Sequence, residues 1–167
     1  MQLERIRAVL TGATGGIGRA LARRLHAAGT GLLLTARDEQ ALRALRDELG
    51  PGRQAVELVA ADLLSAEGVT RVADAAARFP GGINALINNA GHNSPGLFGQ
   101  VGAADIEAIV AVNLVAPMRL SRTLLPRLSC QPRSLIVNIG SVFGLIGYPG
   151  NAAYCASKFG LRGFSEA

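Results

Sequence analysis

Apolar residues along the chain fall in short runs, and these alternate with stretches of helical spacing. Residues 6–11 (IRAVLT) form an apolar run that ends in a glycine-rich turn. Residues 18–29 (GRALARRLHAAG) then repeat apolar positions at helical intervals, with Gly29 as the stop. The alternation continues with strands expected over 31–36, 55–61 and 83–89, and helices over 39–50 and 66–79. A long, mostly apolar helix over 103–128 follows, which Pro117 and Pro126 are expected to bend or shorten. A fifth strand is expected over 134–141, and a last helix over 151–167.

Short apolar strands alternating with helices imply right-handed βαβ units. They predict an α/β fold with a doubly wound parallel sheet in three layers, strand order 3-2-1-4-5, and a ligand at the carboxyl ends of the strands. Pro51-Gly52 and Pro80-Gly81-Gly82 are ordinary turns. No linker, repeat or low-complexity stretch divides residues 1–167, so one domain is expected.

Composition narrows the function. Of 167 residues, 49% are hydrophobic and 4% aromatic, which suits a sheet buried on both faces. The net charge of +5 comes from arginines scattered along helices rather than gathered in blocks, so an anionic cofactor is expected and no nucleic-acid partner. Cys130 and Cys155 have no CxxC pairing and no histidine at ligand spacing, so neither a metal nor a disulfide is expected. His26 and His92 are expected to be structural or exposed, and Cys155 to be a packing residue. The first residues lack a signal-peptide pattern, and no uninterrupted apolar segment reaches about 18 residues, the length of a membrane span. A cytoplasmic, reducing setting is the corresponding expectation.

Thr11-Gly12-Ala13-Thr14-Gly15-Gly16-Ile17-Gly18 closes the first strand and opens the first helix, where a pyrophosphate meets free backbone N–H groups and the positive helix end. The chain has no Lys-Ser/Thr at the end of this turn, so nucleotide hydrolysis is disfavoured. At the end of the second strand, where NAD-binding folds place an acid for the ribose, stand Ala36 and Arg37. A guanidinium pairs with a 2′-phosphate, so NADP is expected, with NAD as the alternative if Asp38 takes the ribose. Tyr154 and Lys158, four apart on one helix, share a face and can reach a common ligand. A neighbouring ammonium favours the phenolate of a tyrosine, whose ordinary pKa is about 10, and equips it for proton exchange.

Gly12, Gly16 and Gly18 at TGxxxGxG spacing, Asn88-Asn89-Ala90-Gly91, Ser141 and Tyr154-xxx-Lys158 together resemble the short-chain dehydrogenases/reductases, in order and across almost the whole chain. The resemblance implies a Rossmann-like NADP(H)-dependent oxidoreductase acting on a carbonyl/alcohol pair, with Tyr154 as general acid/base. It assigns Gly12, Thr14, Gly16, Ile17, Gly18, Arg37, Asp62, Leu63, Asn89, Ala90 and Gly91 to the cofactor, together with Tyr154 and Lys158. It implies that Lys158 holds the nicotinamide ribose, Ser141 polarises the substrate carbonyl, and Asn113 holds a water that links Lys158 to solvent. Gly144 and Gly147 fit the loop after Ser141. It also implies a homo-oligomer paired through the Asn113 and Tyr154 helices, and it leaves the substrate open. Relatives continue beyond the point where this chain stops, with the rest of the last helix, two more strands and a substrate-covering segment. Ala167 therefore marks an apparent truncation, and a catalytically inactive nucleotide-binding remnant or a non-catalytic interaction protein are the alternative expectations.

Overall fold

The computed structural model describes residues 2–167. Five strands, β1 (Arg7–Thr11), β2 (Gly31–Ala36), β3 (Val56–Ala60), β4 (Ala85–Asn88) and β5 (Leu135–Asn138), form one parallel sheet in the order β3-β2-β1-β4-β5. The helices are α1 (Gly16–Ala27), α2 (Glu39–Leu49), α3 (Ala66–Arg78), α4 (Ala103–Val110), α5 (Ala116–Ser129) and α6 (Ala152–Glu166). The doubly wound α/β architecture and the strand order match the reading of the sequence.

Side chains alternate across the pleat, so each central strand feeds two cores. Val9, Leu33 and Leu86 face the layer of α3 and α5, where Val72, Leu120 and Leu124 are buried against them. Ala8, Leu10, Leu32 and Leu34 face α1 and α2, where Ala22, Leu42 and Leu45 meet them. Each fully buried leucine contributes about 1.5–3 kcal/mol of transfer free energy. Register follows from this two-sided burial: Ala8 pairs with Leu32 and Ala85, and Leu10 with Leu34 and Ile87. A slip of one residue would exchange the two faces.

Element ends differ from expectation where side chains compete for the backbone. β4 starts at Ala85 rather than Ile83 because the Asn84 side chain takes the Arg7 N–H (2.8 Å) and donates to the Arg5 carbonyl (2.9 Å). The long helix is continuous from Ala103 to Ser129, and the prolines neither end it nor shorten it. Its single irregularity among the described residues is a π-type turn at Ala111–Val115, where the Ala116 N–H reaches back to the Ala111 carbonyl. Pro117 has no N–H to offer the Asn113 carbonyl four residues earlier, so an ordinary α-helical bond is missing there. This 27-residue helix is long and apolar enough, by length and average composition, to cross a membrane, although Asp105, Glu107, Asn113 and Arg119 interrupt its apolar run. Here it lies along the sheet with Leu120, Leu124 and Leu128 in the core.

Candidate active site

The glycine-rich turn is held open by the loop after β4. Thr11 Oγ1 accepts from the backbone N–H groups of Asn89 and Ala90, both at 2.9 Å. Asn89 Nδ2 donates to the carbonyls of Thr11 (2.9 Å) and Gly12 (3.1 Å). Gly12 sits at φ +62°, and a Cβ there would lie 2.7 Å from Ala90 Cα. At Gly18 a Cβ would lie 2.1 Å from the Gly12 carbonyl, so only glycine lets the first turn of α1 close on the loop. A Cβ on Gly16 would meet nothing within 4 Å. The N–H groups of Gly16 and Ile17 lie before any intrahelical acceptor, at the positive end of α1. This cradle fits a pyrophosphate.

At the end of β2, Arg37 is exposed and makes no ion pair among the described residues. Asp38 caps α2 instead, its carboxylate accepting from the Ala41 N–H at 3.0 Å. The charge free to meet a ligand at this strand end is therefore the cation. After β3, Asp62 is exposed and its carboxylate accepts from the Leu64 N–H (3.1 Å), while Leu63 is buried. Ser65, not Asp62, caps α3, by accepting from the Gly68 N–H at 2.9 Å.

Tyr154 and Lys158 project from the first turns of α6. Lys158 is 5% exposed, and its ammonium donates to the Ile139 carbonyl at 2.8 Å and lies 5.8 Å from the centre of the Tyr154 ring. Burial pushes the Lys158 ammonium below the ordinary lysine range. Phe143 meets the Tyr154 ring edge-on, with centroids 6.3 Å apart, and stacks on Tyr148 at 4.8 Å. Ser141 Oγ accepts from the Phe143 N–H (3.2 Å), which leaves its own hydrogen free to donate elsewhere. Gly144 allows this loop to close on α6, since a Cβ would lie 2.9 Å from the Lys158 carbonyl.

Asn113, fully buried in the π-type turn, joins three segments. Its Oδ1 accepts from the His92 N–H (2.8 Å), and its Nδ2 donates to the His92 carbonyl (2.9 Å) and to Ser157 Oγ (3.0 Å). Ser157 in turn donates to the Tyr154 carbonyl at 2.7 Å. Both amide hydrogens of Asn113 are thus taken by protein groups.

These elements share one cleft of about 630 Å³ along the carboxyl ends of the strands. Gly12, Thr14, Gly16, Ile17, Gly18, Arg37, Asp62, Leu63, Asn89, Ala90, Gly91, Tyr154 and Lys158 all line it. Ser141 and Asn113 do not: Ser141 follows the lining residue Gly140, and Asn113 lies behind the lining residue Val112. Sequence reasoning did not find three functional groups: the Thr11 hydroxyl, the Ile139 carbonyl and Ser157. Thr11 is the one polar side chain at the end of an apolar strand, and Ser157 stands one turn from Tyr154. A backbone carbonyl leaves no trace in the residue pattern.

A 3-2-1-4-5 parallel sheet, with a glycine cradle at one end of its cleft and a tyrosine–lysine pair at the other, defines a dinucleotide-binding architecture. The chain belongs to the short chain dehydrogenase family, whose pattern it matches over residues 7–167. It is similar to nodulation protein G of Rhizobium sp. (strain N33), at 40% identity over 161 residues, covering 96% of this chain. It is also similar to the 3-oxoacyl-(acyl-carrier-protein) reductase FabG of Escherichia coli (strain K12), at 35% identity over the whole chain and 67% of that protein. The chain spans 64% of the length of the nodulation protein. Among solved structures, a metagenomic short-chain oxidoreductase in complex with NADP superposes with a TM-score of 0.88 at 38% identity, covering 98% of this chain and 75% of that one. The bulky-bulky ketone specific alcohol dehydrogenase from Comamonas testosteroni gives a TM-score of 0.88 at 32% identity, covering 98% of this chain and 66% of that one.

Proposed function

We propose that this chain is the cofactor-binding and catalytic portion of an NADP(H)-dependent oxidoreductase that interconverts a small carbonyl compound and its alcohol. The observation that carries this reading is the shared cleft, which brings Tyr154 and Lys158 to the same space as the Gly12–Gly18 cradle. In this reading the cradle and the start of α1 hold the pyrophosphate, Asp62 and Leu63 flank the adenine, and Asn89, Ala90 and Gly91 approach the ribose. Arg37 receives the 2′-phosphate; its exposure and the commitment of Asp38 to α2 support NADP over NAD, as does the similarity to a structure solved with NADP.

When bound, the nicotinamide supplies or accepts the hydride at the substrate carbon. The protein groups handle the oxygen. Tyr154 gives its phenolic proton to that oxygen in reduction and takes it back in oxidation. Ser141 donates its free hydroxyl hydrogen to the same oxygen, stabilising charge that develops there. Lys158, already desolvated, holds the ribose and keeps a positive charge beside the tyrosine. Asn113 fixes α6 through Ser157, and its carbonyl, left without an α-helical donor by Pro117, is the acceptor for a water that links Lys158 to solvent. Met118 and Leu125 on α5 and Phe159 on α6 are exposed apolar side chains that suit pairing of subunits along these helices.

Tyr154→Phe tests the reading, because it removes the proton-carrying oxygen and keeps the ring against Phe143. The expected result is an NADPH affinity within about twofold of the parent and turnover lower by at least the ~10²–10⁴-fold typical of a lost general acid. Unchanged turnover would remove Tyr154 from the chemistry. A parent chain that binds NADPH and turns over no carbonyl would favour a nucleotide-binding role without catalysis.

A further inference from the structure

The far end of the sheet carries a second cleft. The amino ends of β1, β4 and β5 border an open cleft of about 810 Å³ between residues 2–7, Asn84 and residues 131–133. Three guanidinium groups line it, those of Arg5, Arg7 and Arg133, together with the side-chain amides of Gln2, Asn84 and Gln131. No carboxylate lines the cleft, and none of the three arginines forms an ion pair among the described residues. Glu4 does not supply the missing charge, since it is absent from the lining and its Cβ lies beside Gly29.

The cleft is built rather than incidental. Asn84 clamps the Arg5–Arg7 segment from both sides, and Arg7 Nε donates to the Gly82 carbonyl. Arg7 also reaches Gln131 Oε1 at 3.5 Å, across 124 residues of sequence. Helix carboxyl ends at this side of the sheet, those of α3 and α5, attract cations, but each carries only about half a negative charge. Against three full positive charges they leave an excess of about two. Guanidinium groups meet phosphate oxygens through paired N–H donors, and the amides of Gln2 and Gln131 add further donors without adding charge.

We propose that this cleft is a binding site for a phosphate-bearing dianion or oligophosphate, separate from the cofactor cleft and independent of the dehydrogenase reading. The test is a heteronuclear NMR titration of the ¹⁵N-labelled chain with inorganic phosphate, pyrophosphate and glycerol 3-phosphate in turn, at fixed ionic strength. The expected result is saturable shifts at the amides of residues 5–7, 82–84 and 131–133. The midpoint is expected to weaken at least tenfold in the exposed-site variant Arg5→Gln/Arg133→Gln, with the spectrum otherwise retained. Preference for pyrophosphate over phosphate would identify an oligophosphate ligand, and preference for glycerol 3-phosphate a phosphate ester; either supports the site. Shifts confined to residues 12–18 and 37 would place all phosphate binding in the cofactor cleft and overturn the proposal. So would parent shifts at the second cleft that do not saturate, and so would a midpoint unchanged by the double substitution.

Discussion

Asn89 Nδ2 donates to the Gly12 carbonyl at 3.1 Å, and thereby ties the loop after the fourth strand to the turn after the first. The same nitrogen serves the Thr11 carbonyl, so one side chain satisfies two acceptors at the point where β1 ends and the cradle begins. Asn89→Ala should therefore lower stability by about 1–3 kcal/mol, because it strands buried or half-buried carbonyls. It should also weaken NADPH binding, because the cradle loses its support. Denaturant unfolding and a nicotinamide fluorescence titration measure the two effects. A stable variant with unchanged affinity would mean that the cradle holds its shape without Asn89.

Much of this cradle was legible in the residues. Gly12, Gly16 and Gly18 stand at a strand–helix junction, where a pyrophosphate is expected, and the resemblance to the short-chain dehydrogenases assigned Asn89, Ala90 and Gly91 to the same ligand. The sheet was legible from its short apolar runs, since β1, β2 and β4 are apolar on both faces. Less legible were features set by tertiary partners. Asn84 is a polar residue inside an apolar run, and only its bonds to Arg5 and Arg7 show why β4 starts after it. Pro117 suggested a bend, whereas the helix absorbs the missing N–H in a π-type turn and continues. The bond from Lys158 to the Ile139 carbonyl involves no recognisable side-chain pattern at position 139.

Gly18→Ala is the sharper test of the cradle. The added methyl would fall 2.1 Å from the Gly12 carbonyl and 2.9 Å from Ala13 Cα, both backbone atoms that cannot swing aside. Overpacking of this kind costs about 1–3 kcal/mol, and relief requires α1 to move away from the loop. The expected outcome is a folded, less stable chain with NADPH affinity reduced at least tenfold. Gly16→Ala, which meets nothing within 4 Å in the protein, should by contrast leave stability nearly intact and reduce affinity by crowding the ligand alone. Equal stability losses in the two variants would contradict the packing argument.

Cofactor preference is assigned to Arg37 and not to Asp38, whose carboxylate is committed to the Ala41 N–H. A charged hydrogen bond contributes about 1.5–3 kcal/mol. Arg37→Asp should therefore weaken NADPH binding about 10- to 150-fold and leave NADH binding equal or stronger. Asp38→Ala should change neither affinity by more than about twofold but destabilise α2 by the ~1 kcal/mol typical of a lost cap. Parallel titrations with both cofactors settle the assignment. An unchanged NADPH-to-NADH ratio in Arg37→Asp would show that this guanidinium does not read the phosphate.

Lys158 makes stability depend on pH in a direction that can be worked out. Burial lowers its pKa in the folded chain below the value of about 10.4 that it regains on unfolding. Between those two values the unfolded chain holds more protons than the folded one, so stability rises with pH across that interval. Below the folded pKa both states carry the charge, and the native state bears the full cost of keeping it desolvated. Lys158→Met removes the charge and should flatten this contribution. The difference in stability between variant and parent should therefore be largest near neutral pH, in favour of the variant, and should shrink as pH approaches about 10.4. The lost bond to the Ile139 carbonyl, strongest while the amine is protonated, offsets part of the gain. Thermal unfolding of both proteins from pH 7 to 10.5 reads the slope directly, and parallel curves for parent and variant would show that Lys158 does not carry the proton linkage.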